Sequence, residues 1–229
     1  MFGRLFAPAP DAPPHPGPRF SVIVIHYQPS IPHQIFLRGI ESLRTQAFRD
    51  FELLVYHDGP LTDPGVVSPV PIVCSTSRFN DWGHSLRDRG IREASGEYIV
   101  HFNADNILYP DALEEIDRAI RRPPRAINKR GQVLDPNHII VFPIKMFGWT
   151  QLMKGSRRDL KDPDYYQILT GNPPRFEHVD AMQFVMRRDL WLREGGWYDK
   201  RANSDGIMYE RLALKYGYRA VGPVLGEHH

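Results

Sequence analysis

The chain predicts an α/β fold with a mostly parallel, Rossmann-like central sheet flanked by helices, and three observations support this. Short apolar runs without polar alternation, FSVIVI at 20–25 and YIVHF at 98–102, have the pattern of strands covered on both faces. Stretches with apolar residues at helical spacing separate such runs, so strand and helix patterns alternate through the first half. The length, 229 residues, suffices for one substantial core.

In chain order, the strand at 20–25 is followed by Ser30 as a candidate N-cap and Pro32 in a first helical turn. Phe36, Ile40, Leu43 and Ala47 then fall on one helix face. FELLVY at 51–56 is the second strand, closed by the turn signal His57-Asp58-Gly59-Pro60. Strand, helix, strand at this spacing is a βαβ unit, which implies parallel pairing. Residues 70–74 form a Pro-containing strand and therefore an edge. A helix over 81–94 is predicted with Trp82, Leu86, Ile91 and Ala94 as its apolar contacts, stopped by Ser95-Gly96.

The strand at 98–102 runs into Asn103-Ala104-Asp105-Asn106. Pro110 opens a helix carrying Leu113, Ile116, Ala119 and Ile120, and Pro123-Pro124 ends it. Residues 139–144 read as one strand, 146–177 as a long polar loop, and 179–186 as a strand. A short helix at 188–194, a last helix around Met208, Leu212 and Ala213, and a strand at 218–221 complete the pattern.

Composition narrows the function. The formal net charge of +2, with basic pairs such as Arg121-Arg122 and Arg187-Arg188 dispersed, gives no argument for nucleic acid. The single cysteine, Cys74, excludes an internal disulfide and a multi-cysteine zinc site and fits a reducing compartment. No apolar run approaches the ~18–20 residues needed to span a bilayer. Residues 1–19 hold Pro8, Pro10, Pro13, Pro14, Pro16 and Pro18 without the apolar stretch of a signal peptide, and read as a flexible lead-in. The expected location is cytoplasmic, with peripheral association at the inner face of a membrane left open.

An acid at the C-terminal end of a buried strand, just before a helix, is where open α/β sheets place ligand chemistry. Asp105 has that position, although Asn and Asp are also ordinary turn formers. The surrounding segments decide between the two. SVIVIHYQ at 21–28 resembles S-V-I-x-P-T-Y-N, and SLRTQ at 42–46 followed by DFELLV at 50–55 resembles S-L-x-x-Q-x-x-x-D-x-E-L-L-V. HDGP at 57–60 stands for D-D-G-S, and LRDRGIREASGEYI at 86–99 for A-R-N-x-G-I-x-x-A-x-G-E-Y-I. Asn103-Ala104-Asp105 falls on the D-x-D element, with P-D-A-L following at 110–113. Together these identify a resemblance to the family 2 glycosyltransferases of GT-A fold, which are inverting and use nucleotide-sugar donors.

The resemblance implies one GT-A domain over 20–229, with 20–122 binding the nucleotide and 123–229 shaping the acceptor site. It implies Mn²⁺ or Mg²⁺ as cofactor, a nucleotide-sugar donor (UDP-linked), and a glycan or lipid-linked glycan as acceptor. Asp105 becomes the metal ligand, and Asn103, where the family often has Asp, brings an amide oxygen without charge. Asp58 would accept from the nucleobase, Tyr27 would pack on base or ribose, and Arg78 and Arg87 are candidate base or diphosphate contacts. Asp205 is the matching general base. It sits at a helix start that would favour its ionised form, while Ser204 replaces the first acid of the family's pair. Asp180 is the second-choice acid, and His228 is a candidate further metal ligand. Trp149, Trp191 and Trp197 could stack on sugars, though isolated aromatics are more often core. The rival functions are a catalytically silent GT-A-like binding module and a nucleotidyltransferase. The latter is disfavoured because the segment after the first strand, His26-Tyr27-Gln28-Pro29-Ser30, lacks glycine.

Overall fold

The computed structural model describes residues 15–63, 68–123, 137–147 and 165–229. The first half comprises β1 (Phe20–His26), α1 (His33–Arg44), β2 (Phe51–His57), β3 (Ile72–Cys74), α2 (His84–Glu93), β4 (Tyr98–Asn103), β5 (Ile107–Leu108) and α3 (Ala112–Arg121). There follow β6 (Ile139–Val141), β7 (Ile144–Phe147), β8 (Tyr166–Leu169), a 3-10 turn (Ala181–Gln183), β9 (Phe184–Arg187) and α4 (Arg188–Arg193). The chain closes with α5 (Ser204–Tyr216), β10 (Arg219–Ala220) and β11 (Gly226–His228).

Seven strands form the main sheet in the order β10-β6-β9-β4-β1-β2-β3. β1 lies between β2 and β4, parallel to both, and every residue of it is buried, which is why its sequence shows no polar alternation. Val22 and Val24 face a cluster with Phe36, Ile40, Leu113 and Ile116 from α1 and α3. Ile23 and Ile25 face the opposite cluster with Leu86, Ile91, Trp191, Trp197 and Leu212 from the α2, α4 and α5 side. β3 is the edge strand that its proline predicted, and β9 is antiparallel to β4 and β6. Register pairs His26 with His57 and Ile25 with Asn103, so Tyr27, Asp58 and the Asp105 turn leave the sheet at the same end.

Several expectations are corrected. Residues 139–144 are two strands. The chain breaks at Phe142-Pro143, where proline offers no N–H to the ladder, and crosses into a second sheet ordered β5-β11-β7-β8. Ser30 caps nothing: α1 starts after Pro32 with no side-chain cap, and Ala47 lies beyond the helix, exposed. Trp82 is not a helix contact, because α2 begins only at His84 and Trp82 is 73% exposed. The strand expected over 179–186 starts as the 3-10 turn capped by Asp180. The expected 146–177 loop contains β8, and the remainder of it around Trp149 lies outside the described residues. Among the described residues no helix is long and apolar enough to cross a membrane.

Close packing fixes the Asp105 turn. A Cβ on Gly39 of α1 would come 2.2 Å from the Ala104 carbonyl oxygen, so the helix lies directly against the turn only because residue 39 lacks a side chain. Gln46, buried just past α1, donates to the Tyr109 carbonyl at 2.7 Å and accepts from Leu113 N at 3.1 Å, joining the turn's far side to α1 and α3.

Candidate active site

Two groups of side chains gather at the C-terminal ends of the central strands. The first is Tyr27, Asp58 and Arg78. Asp58 is buried, accepts from Phe79 N at 2.8 Å through Oδ1, and has Arg78 Nε 3.5 Å from Oδ2. The Arg78 guanidinium lies 3.6 Å over the Tyr27 ring and donates to its hydroxyl at 2.6 Å. His57 ties the two turns together, accepting from Gln28 N at 3.2 Å and contacting the Gly59 carbonyl at 2.7 Å. The result is a cation stacked on an aromatic ring with a held carboxylate beside them, groups that suit a flat heterocycle with a ring N–H.

The second group is built by five separate segments. Asn103 ends β4, and its amide oxygen accepts from Arg87 Nη2 of α2. Arg87 is 2% exposed, and its Nε and Nη1 have no hydrogen-bond partner. It stands behind the site as a buried positive charge, attracted to Asp180, Asp205 and Asp105. Ala104 is fully buried, its N–H bonded to the Ile25 carbonyl at 3.0 Å. Asp105 follows, with a buried Oδ1 that makes no hydrogen bond. Asp180 caps the 3-10 turn, accepting from Met182 N at 3.0 Å. His228 of β11 places Nδ1 3.4 Å from Asp180 Oδ2, and Asp205 lies in the first turn of α5. The register Glu227↔Ile107 brings β11 alongside the Asp105 turn.

Charge and burial set these groups apart. Burial pushes the Asp105 carboxyl above its ordinary range, with the His228 charge opposing. Burial would do the same to Asp180, but His228, the Met182 N–H and Arg87 together hold it below. Burial disfavours the His228 cation, yet Asp180, Asp105 and Asp205 around it keep its pKa raised. Asp205 is pushed up to about 6 by burial and by the Asp180 charge, against the Gly206 N–H and Arg87. The expected pull of the helix start towards ionisation is therefore outweighed by desolvation.

Other sequence candidates fall elsewhere. Ser204, standing where the family has an acid, is fully buried; its Oγ accepts from Trp197 Nε1 at 3.0 Å and contacts His84 Nε2 at 3.2 Å. Trp191 and Trp197 are core, with no exposed surface. No local sequence signal sets Asp180 apart from an ordinary acid before a strand. Its pairing with His228, 48 residues later in the chain, exists only in the fold.

The donor set suits a divalent cation. Asp105 offers a buried oxygen without a partner and His228 an imidazole, a hard oxygen and a nitrogen that suit a manganese-like ion. Among the described residues no group of three or more His, Cys, Asp or Glu side chains is placed to hold a metal alone. Donor chemistry fits, with few protein ligands.

Comparison with known proteins closes the question of family. The description "Glycosyl transferase family 2" matches residues 21–187. This chain belongs to glycosyltransferase family 2. An uncharacterized glycosyltransferase of Rickettsia felis is 28% identical over 85 residues, which covers 34% of this chain and 14% of that protein. One of Rickettsia conorii is 27% identical over a stretch covering the same shares. The present glycosyltransferase chain thus spans a small part of those relatives. Among solved structures, Staphylococcus aureus TarS 1-349 in complex with UDP superposes with a TM-score of 0.63 at 14% identity, covering 92% of this chain and 60% of that one. A Pyrobaculum calidifontis mannosyltransferase in complex with GDP-Man and Mn²⁺ gives 0.56 at 17% identity, covering 93% and 57%. At such identities the likeness establishes the fold, which is GT-A.

Proposed function

We propose that this chain moves a sugar from a UDP-linked donor to a carbohydrate hydroxyl with inversion, working as one GT-A domain. Residues 20–122 hold the nucleotide and 123–229 shape the acceptor side. The observation that carries this reading is the convergence of Asp105, Asp180, Asp205, His228 and Arg87 at one end of the sheet, beside the Tyr27–Asp58–Arg78 corner.

Asp58 offers its carboxylate to the uracil N3–H, Tyr27 supplies the face against base or ribose, and Arg78 sits between them. Asp105, with help from His228, would hold Mn²⁺ or Mg²⁺, and the chemistry supplied there would be stabilisation of the negative charge that grows on the diphosphate leaving group. Asn103 keeps Arg87 in place, so the guanidinium adds positive potential behind the diphosphate without contacting it. Asp205, ionised at neutral pH with a pKa of about 6, accepts the acceptor hydroxyl's proton as the oxygen attacks the anomeric carbon opposite the leaving group. Asp180 fixes the His228 ring. The chain works in the cytoplasm, either on a free glycan or at a membrane surface on a lipid-linked one.

A thermal-shift screen of UDP, GDP and their sugars with Mn²⁺ tests this. Saturating UDP should raise Tm, since a ligand at a hundred times its Kd stabilises by about 2.7 kcal/mol. A second reading, a catalytically silent module, is favoured by Asn103 and Ser204, where family acids are replaced by residues bound into the packing. UDP binding without release of UDP from any donor sugar would select it, and no shift with any nucleotide would remove the transferase reading.

A further inference from the structure

Trp82 serves neither the core nor the site described above. It is 73% exposed, and its backbone sits at φ 61°, with Asn80 at 55° and Gly83 at 78°. A left-handed conformation is uncommon for any residue with a side chain and an outlier for a bulky one. Such strain persists only where the surroundings impose it, and it gathers at functional sites. Here the surroundings are specific. Asp81 Oδ2 accepts from Ser85 N at 2.9 Å and Ser85 Oγ at 2.6 Å, and a Cβ on Gly83 would meet Ile25 Cγ2 at 2.4 Å. The turn is therefore pressed onto the end of β1 and pinned to the start of α2.

Both ends of the turn are tied to the candidate site. On one side Phe79 N donates to Asp58. On the other, His84 touches Ser204 Oγ at 3.2 Å and the Arg201 carbonyl at 3.0 Å, while Lys200 Nζ donates to the His84 carbonyl at 3.1 Å. Trp82 thus lies on the stretch of chain linking the nucleotide-side carboxylate to the start of α5, where Asp205 sits. Its turn carries Asp81, and the segment bonded to that turn carries Lys200 and Arg201. An exposed indole on a turn that also carries charged and hydrogen-bonding residues suits a ligand with an apolar face and polar edges. A pyranose is such a ligand, with C–H bonds on one face and hydroxyls around the rim, and the electron-rich indole face attracts those C–H bonds. A lipid surface would call instead for a contiguous apolar patch, and Phe79, 51% exposed three residues earlier, makes vesicle binding the measurement that separates the two.

We infer that Trp82 is a stacking platform for a saccharide ring of the acceptor, presented by the strained 80–83 turn, whose next residue His84 touches Ser204, the neighbour of Asp205. The inference rests on the transferase reading for the location of the acceptor side. The test uses the full chain with UDP and Mn²⁺ on an array of lipid-free oligosaccharides, comparing wild type with Trp82→Gly and Trp82→Phe. Nucleotide thermal shifts and binding to phosphatidylglycerol vesicles are measured alongside. Wild type is expected to retain a set of glycans, Trp82→Phe to keep most of that binding, and Trp82→Gly to lose at least about tenfold, equivalent to about 1.4 kcal/mol. Glycine suits a positive φ, so that variant should melt no lower than wild type, which separates lost contact from lost fold. The UDP shift should stay unchanged in both variants. Equal glycan binding in Trp82→Gly, no glycan retained by wild type, a parallel loss of the UDP shift, or Trp82-dependent binding to vesicles alone would each overturn it. Absence of any UDP shift in wild type would instead sink the transferase reading.

Discussion

Asp180 and Asp205 share one buried site yet hold their protons differently, because His228 pairs directly with Asp180 at 3.4 Å whereas Asp205 meets the Asp180 charge on top of its own burial. Asp205 has a folded pKa of about 6 against an ordinary value near 4, so the folded state binds its proton more tightly than the unfolded chain does. Stability from this residue is therefore fully present below about pH 4 and is lost as pH rises through about 6. The loss is on the order of 1–3 kcal/mol at neutral pH. Activity runs the other way, since a base works only when ionised. The rate of transfer should fall tenfold per unit below about pH 6 and level off above. Asp205→Asn should reduce transfer by about 10²–10⁴-fold while raising Tm by a few degrees at pH 7 and not at pH 4. Kinetics and melting curves on one preparation check both; a variant with full activity removes Asp205 as base. Asp105 is legible from its place at a strand end, and Asp58 and Asp205 from the family resemblance of the segments around them. The reversal of Asp205's proton affinity is not, because desolvation depends on what packs around a side chain. Trp82 illustrates the same limit: helical spacing placed it in the core, and the late start of α2 left it in solvent.

At the level of elements, the turn that carries Asp105 is shaped from outside. α1 approaches it through Gly39, and β11 brackets it from the other side, where Tyr109 donates to Glu227 at 2.8 Å. Gly39→Ala should destabilise by about 1–3 kcal/mol, the usual cost of forcing a methyl group into a packed contact. It should also weaken UDP binding, because the atom it strikes is the carbonyl of Ala104. Chemical denaturation and calorimetry would show this; an unchanged midpoint means the turn is not pinned as described. The βαβ rhythm of the first half could be read in the sequence because local hydrophobic periodicity determines it. The second sheet could not. Its strands β5, β7, β8 and β11 have two to four residues each and pair across long separations, so no local pattern announces them. His228 could be named from its type but not placed, since its strand exists only through pairing with β5 and β7.

For the molecule as a whole, the parallel half collects turns at one end of the sheet, and the antiparallel half returns Asp180, Asp205 and His228 to that same end. The fold joins the Tyr27–Asp58–Arg78 corner and an acid cluster that no single segment contains. What decides the account is whether Asp105 links nucleotide and metal. Calorimetric titration of UDP into wild type, Asp105→Asn and Asp205→Asn, each with Mn²⁺ and with a chelator, measures this directly. The account predicts Mn²⁺-dependent UDP binding in wild type, its retention in Asp205→Asn, and a loss of at least about tenfold, or about 1.4 kcal/mol, in Asp105→Asn. UDP affinity that is the same in wild type and Asp105→Asn, with and without Mn²⁺, would contradict it.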